Sequence, residues 1–196
     1  MARKGEKPRV RVAEDEGQRA LLVDGVVQSV AVEGPTFHGP GYWPAMLPDV
    51  RPRQALLLGL GGGTVAHLLV RRFGPLPIVG VEADPDVLAL ARAQFGLDLL
   101  SLTVVEGDAF AYVASCDQRF DYVAVDLYRG AELEGAALAR PFLRALKELL
   151  LPGGQIYFNL FRDGRTPRRL HRLHQVFPWA QTQAIGKNVV VRCPGR

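Results

Sequence analysis

The sequence contains few cysteines and no long apolar run. Its two cysteines, Cys116 and Cys193, lie far apart and match no Cys-x-x-Cys or Cys/His ligand spacing, so neither a zinc site nor a disulfide framework is predicted. The four histidines have no metal-like neighbours either, and we expect no metal. No run approaches the roughly 20 apolar residues of a membrane span, and the charged start, residues 1–8, precedes no apolar stretch. We therefore expect a soluble, cytoplasmic protein.

Length and composition favour a single α/β core. The chain has 196 residues, of which 48% are hydrophobic, enough for one full domain without disulfides. The formal net charge is +4 and the isoelectric point is about 9.3. This charge is compatible with an anionic partner, but it is far below the density of a dedicated nucleic-acid binder.

The first third of the chain reads as a β-hairpin followed by a loop. Apolar runs at Ala20–Val23 and Val26–Val32 flank Asp24-Gly25, a dipeptide typical of tight hairpin turns because both residues tolerate positive φ. A further extended run, Arg9–Val12, precedes them. Residues 33–52 are rich in Gly and Pro, with a short helix predicted near Tyr42–Leu47. We assign residues 1–52 to this hairpin and loop, and residues 53–196 to a nucleoside-binding domain.

Beyond residue 53, apolar strands alternate with helices, which predicts a doubly wound, mostly parallel sheet with helices on both faces. The predicted strands are Ala55–Leu60, Ile78–Val81, Leu102–Val105, Tyr122–Val125 and Gln155–Phe158, followed by an antiparallel pair at Ala180–Ala184 and Asn188–Arg192. The predicted helices are Thr64–Phe73, Pro85–Phe95, Phe110–Ala114, Leu138–Leu150 and Pro167–Val176. Pro152-Gly153-Gly154 is expected to end the fourth helix.

A glycine loop follows the first predicted parallel strand. Gly59-Leu60-Gly61-Gly62-Gly63 leads into a helix that starts at Thr64. Glycines at this position let a ligand approach the backbone, and the helix N-terminus adds free N–H groups. Glycines also serve tight turns and close helix packing, so the loop alone does not decide between a ligand site and a structural turn.

Acidic residues at the ends of the following strands favour the ligand site. Glu82 lies about 20 residues past the loop, where a carboxylate can bind both ribose hydroxyls. Asp108 and Asp126 end the third and fourth strands, so they share the same sheet edge. A helix N-cap is the alternative for Asp108 and the favoured role of Asp84, which precedes Pro85.

Two other nucleotide-binding classes are disfavoured. A dinucleotide fold would carry G-x-G-x-x-G, but Thr64 stands three positions after Gly61. No Gly-Lys-Ser/Thr occurs, so hydrolysis of a nucleoside triphosphate is not expected.

With these residues in place, the sequence resembles the spermidine synthase family and its methyltransferase-like relatives. The matching stretches are Leu22–Gln28, Leu57–Thr64, Val79–Pro85, Glu106–Ala109, Phe120–Asp126 and Leu151–Gly154. The resemblance implies a class I methyltransferase fold with a seven-stranded sheet, a cofactor that is S-adenosylmethionine or its decarboxylated form, and the homodimer common in the family. It also implies cofactor contacts from Gln28, Gly59, Gly61, Gly63, Thr64, Glu82, Asp108, Ala109 and Asp126.

Two departures from the family pattern bear on the reaction. In aminopropyltransferases an aspartate that pairs with the aminopropyl amine follows the triple glycine; here Thr64 stands there and is expected to admit the carboxylate of intact S-adenosylmethionine. The family's second acid after the fourth strand is replaced by Arg129, which stays protonated and cannot act as a base. The terminal parts are also shorter than in full aminopropyltransferases.

We therefore expect methyl transfer to a small-molecule acceptor, with Asp126 and Tyr128 as candidate catalytic residues. The alternative is an aminopropyltransferase of polyamine biosynthesis. A binding module without turnover and an RNA methyltransferase also stay open, the latter because of the basic stretch Arg162–Arg172. The alternative for Tyr128 is a purely structural role as a partly buried aromatic residue of the loop. Tyr42 and Trp43 either cover the site or, as we favour, pack the hairpin onto the main domain.

Overall fold

The computed structural model describes residues 10–15, 17–34 and 41–195. The charged start at residues 1–8, Arg9 of the first predicted strand and part of the loop before Gly41 lie outside the described residues.

A seven-stranded sheet forms the centre of the structure. Its strands are β4 (Ala55–Leu58), β5 (Ile78–Glu82), β6 (Leu102–Glu106), β7 (Phe120–Val125), β10 (Leu150–Phe161), β11 (Gln181–Ile185) and β12 (Asn188–Pro194). Their order is β11-β12-β10-β7-β4-β5-β6, in which the five strands from β10 to β6 are parallel and β12 and β11 are antiparallel to their neighbours. The predicted fold class is confirmed.

Helices cover both faces of this sheet because its strands are apolar on both sides. Leu56 and Leu58 of β4 belong to the cluster formed with the helices on one face, and Ala55 and Leu57 belong to the cluster on the other. The helices are α1 (Thr64–Phe73), α2 (Pro85–Phe95), α3 (Ala109–Ser115), α4 (Arg140–Glu148) and α5 (Thr166–His174). None of the helices in the described part of the chain is long and apolar enough to cross a membrane.

A smaller antiparallel sheet precedes the central one. It consists of β1 (Val10–Asp15), β2 (Gln18–Val23) and β3 (Val26–Val30) in that order, so the predicted hairpin and the extended run predicted before it form one sheet. Apolar side chains from both of its faces are buried: Leu22 and Val30 pack with Trp43 and Leu68, and Leu21 packs in the cluster that contains Phe95. A boundary between two units at residue 52 stays a prediction.

The Pro-Gly-Gly segment differs from the expectation. Helix α4 ends at Glu148, before this segment, and residues 152–154 lie inside the long strand β10. The register between β10 and β7 shifts between Leu150 and Gln155. The prediction that these residues end the helix is therefore wrong, because a proline is accommodated in a strand at such a bulge.

Thr64 joins the N-terminal sheet to the first turn of α1. Its hydroxyl donates a hydrogen bond to the carbonyl oxygen of Val30 at 2.8 Å and accepts one from the Val30 amide at 3.0 Å. The Thr64 side chain is buried, so both bonds are shielded from water. β3 is thereby held against the end of the glycine loop.

We expect Thr64→Val to lower the free energy of unfolding by about 1–3 kcal/mol, because the isosteric side chain leaves the Val30 amide and carbonyl without their partner. Thr64→Ser keeps the hydroxyl and serves as the matched control, with a smaller loss from the missing methyl group. Urea denaturation measures both. A loss in the valine variant no larger than in the serine variant would contradict this role of the hydroxyl.

Candidate functional site

A cavity of about 440 Å³ lies at the carboxyl edge of the parallel strands, where ligands of open α/β sheets bind. The sequence-predicted site residues that line it are Gln28, Gly59, Gly61, Thr64, Glu82, Asp108, Ala109, Asp126 and Tyr128. Gly63 is not part of the lining and forms the N-cap of α1. Apart from Gly63, the expected residues are thus brought together in one place.

The backbone amides of the glycine loop are occupied by the protein itself. The amide of Gly61 donates to the Glu82 carboxylate at 2.9 Å, and the amide of Gly62 donates to the hydroxyl of buried Ser29 at 2.7 Å. The amides of Gly59 and Gly63 donate to the carbonyls of Val81 and Leu60. A phosphate would need these donors. The loop is therefore not arranged as a pyrophosphate cradle.

Gly59 is required by packing as well as by backbone conformation. Its φ is +85°, and a Cβ atom built there would lie 2.1 Å from the carbonyl oxygen of Asp126. No side chain fits at that distance, because neither backbone segment can move without breaking the sheet pairing between β4 and β7. Glycine here lets the end of β4 lie directly against the residue that follows β7.

Glu82 holds the loop in place and still faces the cavity. Besides the Gly61 amide, its carboxylate accepts the amides of Ala83 and Asp84 at 3.0 and 3.1 Å. Burial raises the pKa of Glu82 from its ordinary value, while these backbone bonds oppose the rise. A carboxylate offers about four acceptor positions, so capacity remains for a ligand hydroxyl.

Two other acidic residues cap helices. Asp84 accepts the amide of Asp86 at 2.9 Å at the start of α2, which confirms the favoured N-cap role. Asp108 accepts the amide of Ala111 at 2.8 Å at the start of α3. Both side chains also line the cavity, so capping and ligand contact are compatible at Asp108.

Asp126 is the centre of a chain of hydrogen bonds. Its carboxylate accepts the Tyr42 hydroxyl at 2.5 Å and the Asn159 amide at 2.9 Å, and the Asn188 amide donates to the Asn159 oxygen at 2.8 Å. Burial raises the pKa of Asp126 to about 6, against the lowering effect of Tyr42 and Asn159. The two donors, Tyr42 and Asn159, orient the carboxylate within the cavity, and Asn188 in turn orients Asn159.

Tyr128 and Gln28 contact the protein with their polar ends. The Tyr128 hydroxyl accepts the amide of Phe161 at 2.8 Å and lies 3.3 Å from the carbonyl oxygen of Asn159. Burial raises the pKa of Tyr128 above its ordinary value, so the hydroxyl stays protonated at neutral pH and is not available as a general base. The Gln28 amide donates to the carbonyl oxygen of Gly130 at 2.9 Å, which connects β3 to the segment after β7.

The cavity lining is strongly acidic. Five carboxylates line it, belonging to Glu82, Asp84, Asp108, Asp126 and Glu134. Among the described residues that line the cavity, Arg129 is the one cation, and its side chain pairs with Glu134 at 3.0 Å. This balance favours a cationic ligand, since the carboxylates act together on any charge placed between them.

The basic stretch near α5 does not line this cavity. Arg162, Arg165, Arg168 and Arg172 are exposed, and Arg169 forms an ion pair with Asp163 at 3.0 Å. Within the residues that the structure describes, no group of three or more His, Cys, Asp or Glu side chains is placed to hold a metal ion.

Several residues of the site were not found from the sequence. Ser29, Asn159, Asn188 and Glu134 were not singled out, and Tyr42 was expected to pack rather than to hold Asp126. Asn159 carried one usable signal, because a polar residue within the apolar run Ile156–Leu160 of a buried strand needs a partner. Trp43 packs with the N-terminal sheet, as expected, and it also lines the cavity.

The comparison with protein families agrees with this geometry. Residues 55–154 match a family model described as a methyltransferase domain. The chain belongs to that family. The chain is also similar to curated relatives that are named polyamine aminopropyltransferases.

Two of these relatives show the extent of the similarity. The polyamine aminopropyltransferase 2 of Hyperthermus butylicus is 29% identical over 162 residues, which cover 76% of this chain and 52% of that protein. The polyamine aminopropyltransferase of Neisseria meningitidis is 27% identical over 180 residues, covering 87% and 68%. The matched part thus spans 52% of the length of the first relative and 68% of the length of the second.

Solved structures show the same fold. A probable spermidine synthase from Corynebacterium glutamicum superposes with a TM-score of 0.83 at 18% identity, covering 99% of this chain and 79% of the other. Human methyltransferase-like protein 13, solved in complex with SAH, has a TM-score of 0.65 at 27% identity, covering 76% and 74%.

We expect Gly59→Ala to destabilise the protein by more than about 4 kcal/mol, because the new methyl group overlaps the Asp126 carbonyl. Gly186→Ala is the matched control: its φ is also positive, but nothing lies within 4 Å of the added atom, so only about 1–2 kcal/mol is lost. Denaturant titration measures both. Equal losses would show that the close approach to Asp126 is not limiting.

Proposed function

We propose that this protein binds an S-adenosylmethionine-type sulfonium cofactor and transfers its aminopropyl group to an amine. The cofactor in this reaction is the decarboxylated form. The observation that carries the proposal is the acidic cavity around the oriented Asp126 carboxylate. The names of the polyamine aminopropyltransferase relatives support the same assignment.

The nucleoside half of the cofactor fits the side of the cavity nearest β5 and β6. Glu82 keeps acceptor capacity for one ribose hydroxyl after accepting the amides of Gly61, Ala83 and Asp84. Asp108 and Ala109 line the wall on which the adenine would lie. The amides of the glycine loop are already hydrogen-bonded within the protein. This suits a nucleoside without phosphates, because such a ligand does not need these amides as donors.

The aminopropyl half of the cofactor, which is the part transferred, fits near Asp126. Decarboxylated S-adenosylmethionine carries a sulfonium and an ammonium and no carboxylate, so its charge matches a lining with five acidic residues. The acceptor amine attacks the carbon next to sulfur, a C–N bond forms as the C–S bond breaks, and methylthioadenosine leaves as a neutral thioether. The attacking ammonium first loses one proton to water, because only the neutral amine has a free electron pair for the new bond. The protein mainly has to align the reactants and exclude water.

Methyl transfer from intact S-adenosylmethionine is the second candidate, and the residue after the glycine loop favours it. Thr64 is neutral and presents no carboxylate that would repel the carboxylate of the intact cofactor. The Thr64 hydroxyl is already bonded to Val30, however, so it is poorly placed to attract that group. Arg129, the cation of the lining, is occupied by Glu134.

Calorimetric titration at pH 7.5 compares the two cofactors directly. We expect the decarboxylated form to bind at least about tenfold more tightly, which corresponds to about 1.4 kcal/mol, because it avoids placing a carboxylate beside Asp126. Incubation with this cofactor and 1,4-diaminobutane should then release methylthioadenosine. Tighter binding of intact S-adenosylmethionine, with release of S-adenosylhomocysteine in the presence of an amine, would replace aminopropyl transfer by methyl transfer.

The pH dependence tests the part assigned to Asp126. Because burial raises its pKa to about 6, this carboxylate is anionic above pH 6 and neutral below it. We expect kcat/KM to fall about tenfold per pH unit below pH 6, as the group that holds the ammonium becomes protonated.

Asp126→Asn should lower the activity and remove the inflection near pH 6, because the amide does not titrate. The control is Asp117→Asn, which removes an exposed carboxylate outside the cavity and should keep both the activity and the inflection. An unchanged inflection in the Asp126→Asn variant would assign the titration to another group, and the proposed role of Asp126 would be refuted.

A further inference from the structure

A short ribbon after β7 places Glu134 in the lining of the cavity that also contains Asp126. Strands β8 (Tyr128–Arg129) and β9 (Glu132–Leu133) pair as an antiparallel ribbon. The chain therefore turns back, and the Glu134 amide donates to the carbonyl oxygen of Leu127 at 3.0 Å. Glu134 reaches the cavity by this turn, although it is separated in sequence from the acidic strand ends.

The Glu134 carboxylate is held differently from the other four acidic groups. Glu82 accepts three backbone amides, and Asp84 and Asp108 cap helices. Asp126 is held by the Tyr42 hydroxyl and the Asn159 amide. In the described part of the chain, Glu134 has one side-chain partner, Arg129.

Arg129 is a partner that can leave. Its side chain is 83% exposed, whereas that of Glu134 is 34% exposed. An ion pair with one member in open solvent contributes little stability, since water replaces the lost contact readily. A cation entering the cavity can therefore displace Arg129 from Glu134 at small cost.

We propose that Glu134 is the residue that binds the cationic acceptor, and that Arg129 occupies Glu134 until the acceptor replaces it. This inference rests on the proposed function, because it assumes that the acceptor is an amine. A diamine enters as a dication at neutral pH, and one of its ammonium groups then pairs with Glu134 while its other nitrogen faces the transferred group.

The two members of the ion pair have opposite expected effects on acceptor binding. Removing the charge of Glu134 removes the attraction for the ammonium. Removing the charge of Arg129 removes a competitor and a repulsive cation, so the acceptor should bind more tightly. If the pair served only to hold the ribbon, either substitution would break it, and both variants would change binding in the same direction.

The experiment uses the full chain saturated with methylthioadenosine and titrates 1,4-diaminobutane by calorimetry. We expect Glu134→Gln to weaken binding about fivefold and Arg129→Gln to tighten it about threefold. Glu132→Gln is the matched control: Glu132 is an exposed residue of the same ribbon, paired in register with Arg129, and is not part of the cavity lining. Its binding should equal that of the parent protein.

Three results would overturn the inference: no diamine binding by the parent protein, an equal effect of Glu134→Gln and Glu132→Gln, or weaker binding in Arg129→Gln. Turnover tests the proposed function separately. If Glu134→Gln releases methylthioadenosine with an unchanged KM for the diamine, the role of Glu134 is refuted, whereas the proposed aminopropyl transfer stands. If the three variants bind the diamine as expected but no methylthioadenosine is released, aminopropyl transfer is refuted and the assignment of Glu134 as the acceptor-binding residue stands.

Discussion

The partly buried carboxylate of Asp126 is the constraint on which the rest of the site depends. A charged group in a poorly hydrated cavity must be hydrogen-bonded, and its donors come from distant parts of the chain. Tyr42 belongs to the segment between the two sheets, Asn159 to β10, and Asn188, behind Asn159, to β12. The antiparallel edge of the sheet is therefore part of the site, because Asn188 orients the amide that reaches Asp126.

This arrangement makes the empty site electrostatically unfavourable. The pKa of Asp126 in the folded chain is about 6, above its ordinary value, so the folded state binds a proton more readily than the unfolded state does. The contribution of this group to stability is therefore largest at low pH and falls as the pH rises towards 6. A cation bound beside Asp126 stabilises the ionised carboxylate and so offsets this loss of stability. The burial that destabilises the free protein therefore favours binding of a cation.

The sequence was sufficient to predict the features that depend on a local pattern of residues, such as helix ends and caps. α1 and α2 begin and end at the predicted residues, and Asp84 caps its helix as expected. It was insufficient where a side chain meets a distant partner. Nothing in the sequence relates Tyr42 to Asp126, which is 84 positions away. The place of Glu134 depends on a ribbon of two-residue strands, too short to produce a periodic pattern.

The glycine loop shows why the residue after it does not settle the reaction. The loop amides are bonded to Glu82, Ser29 and nearby carbonyls, and the Thr64 hydroxyl is bonded to both polar backbone atoms of Val30. These groups fix the position of the loop and of β3, and they are not free to distinguish one ligand from another. Discrimination between a carboxylate and an ammonium must then come from the net charge of the remaining lining. That lining is acidic, and its cation, Arg129, is already paired with Glu134.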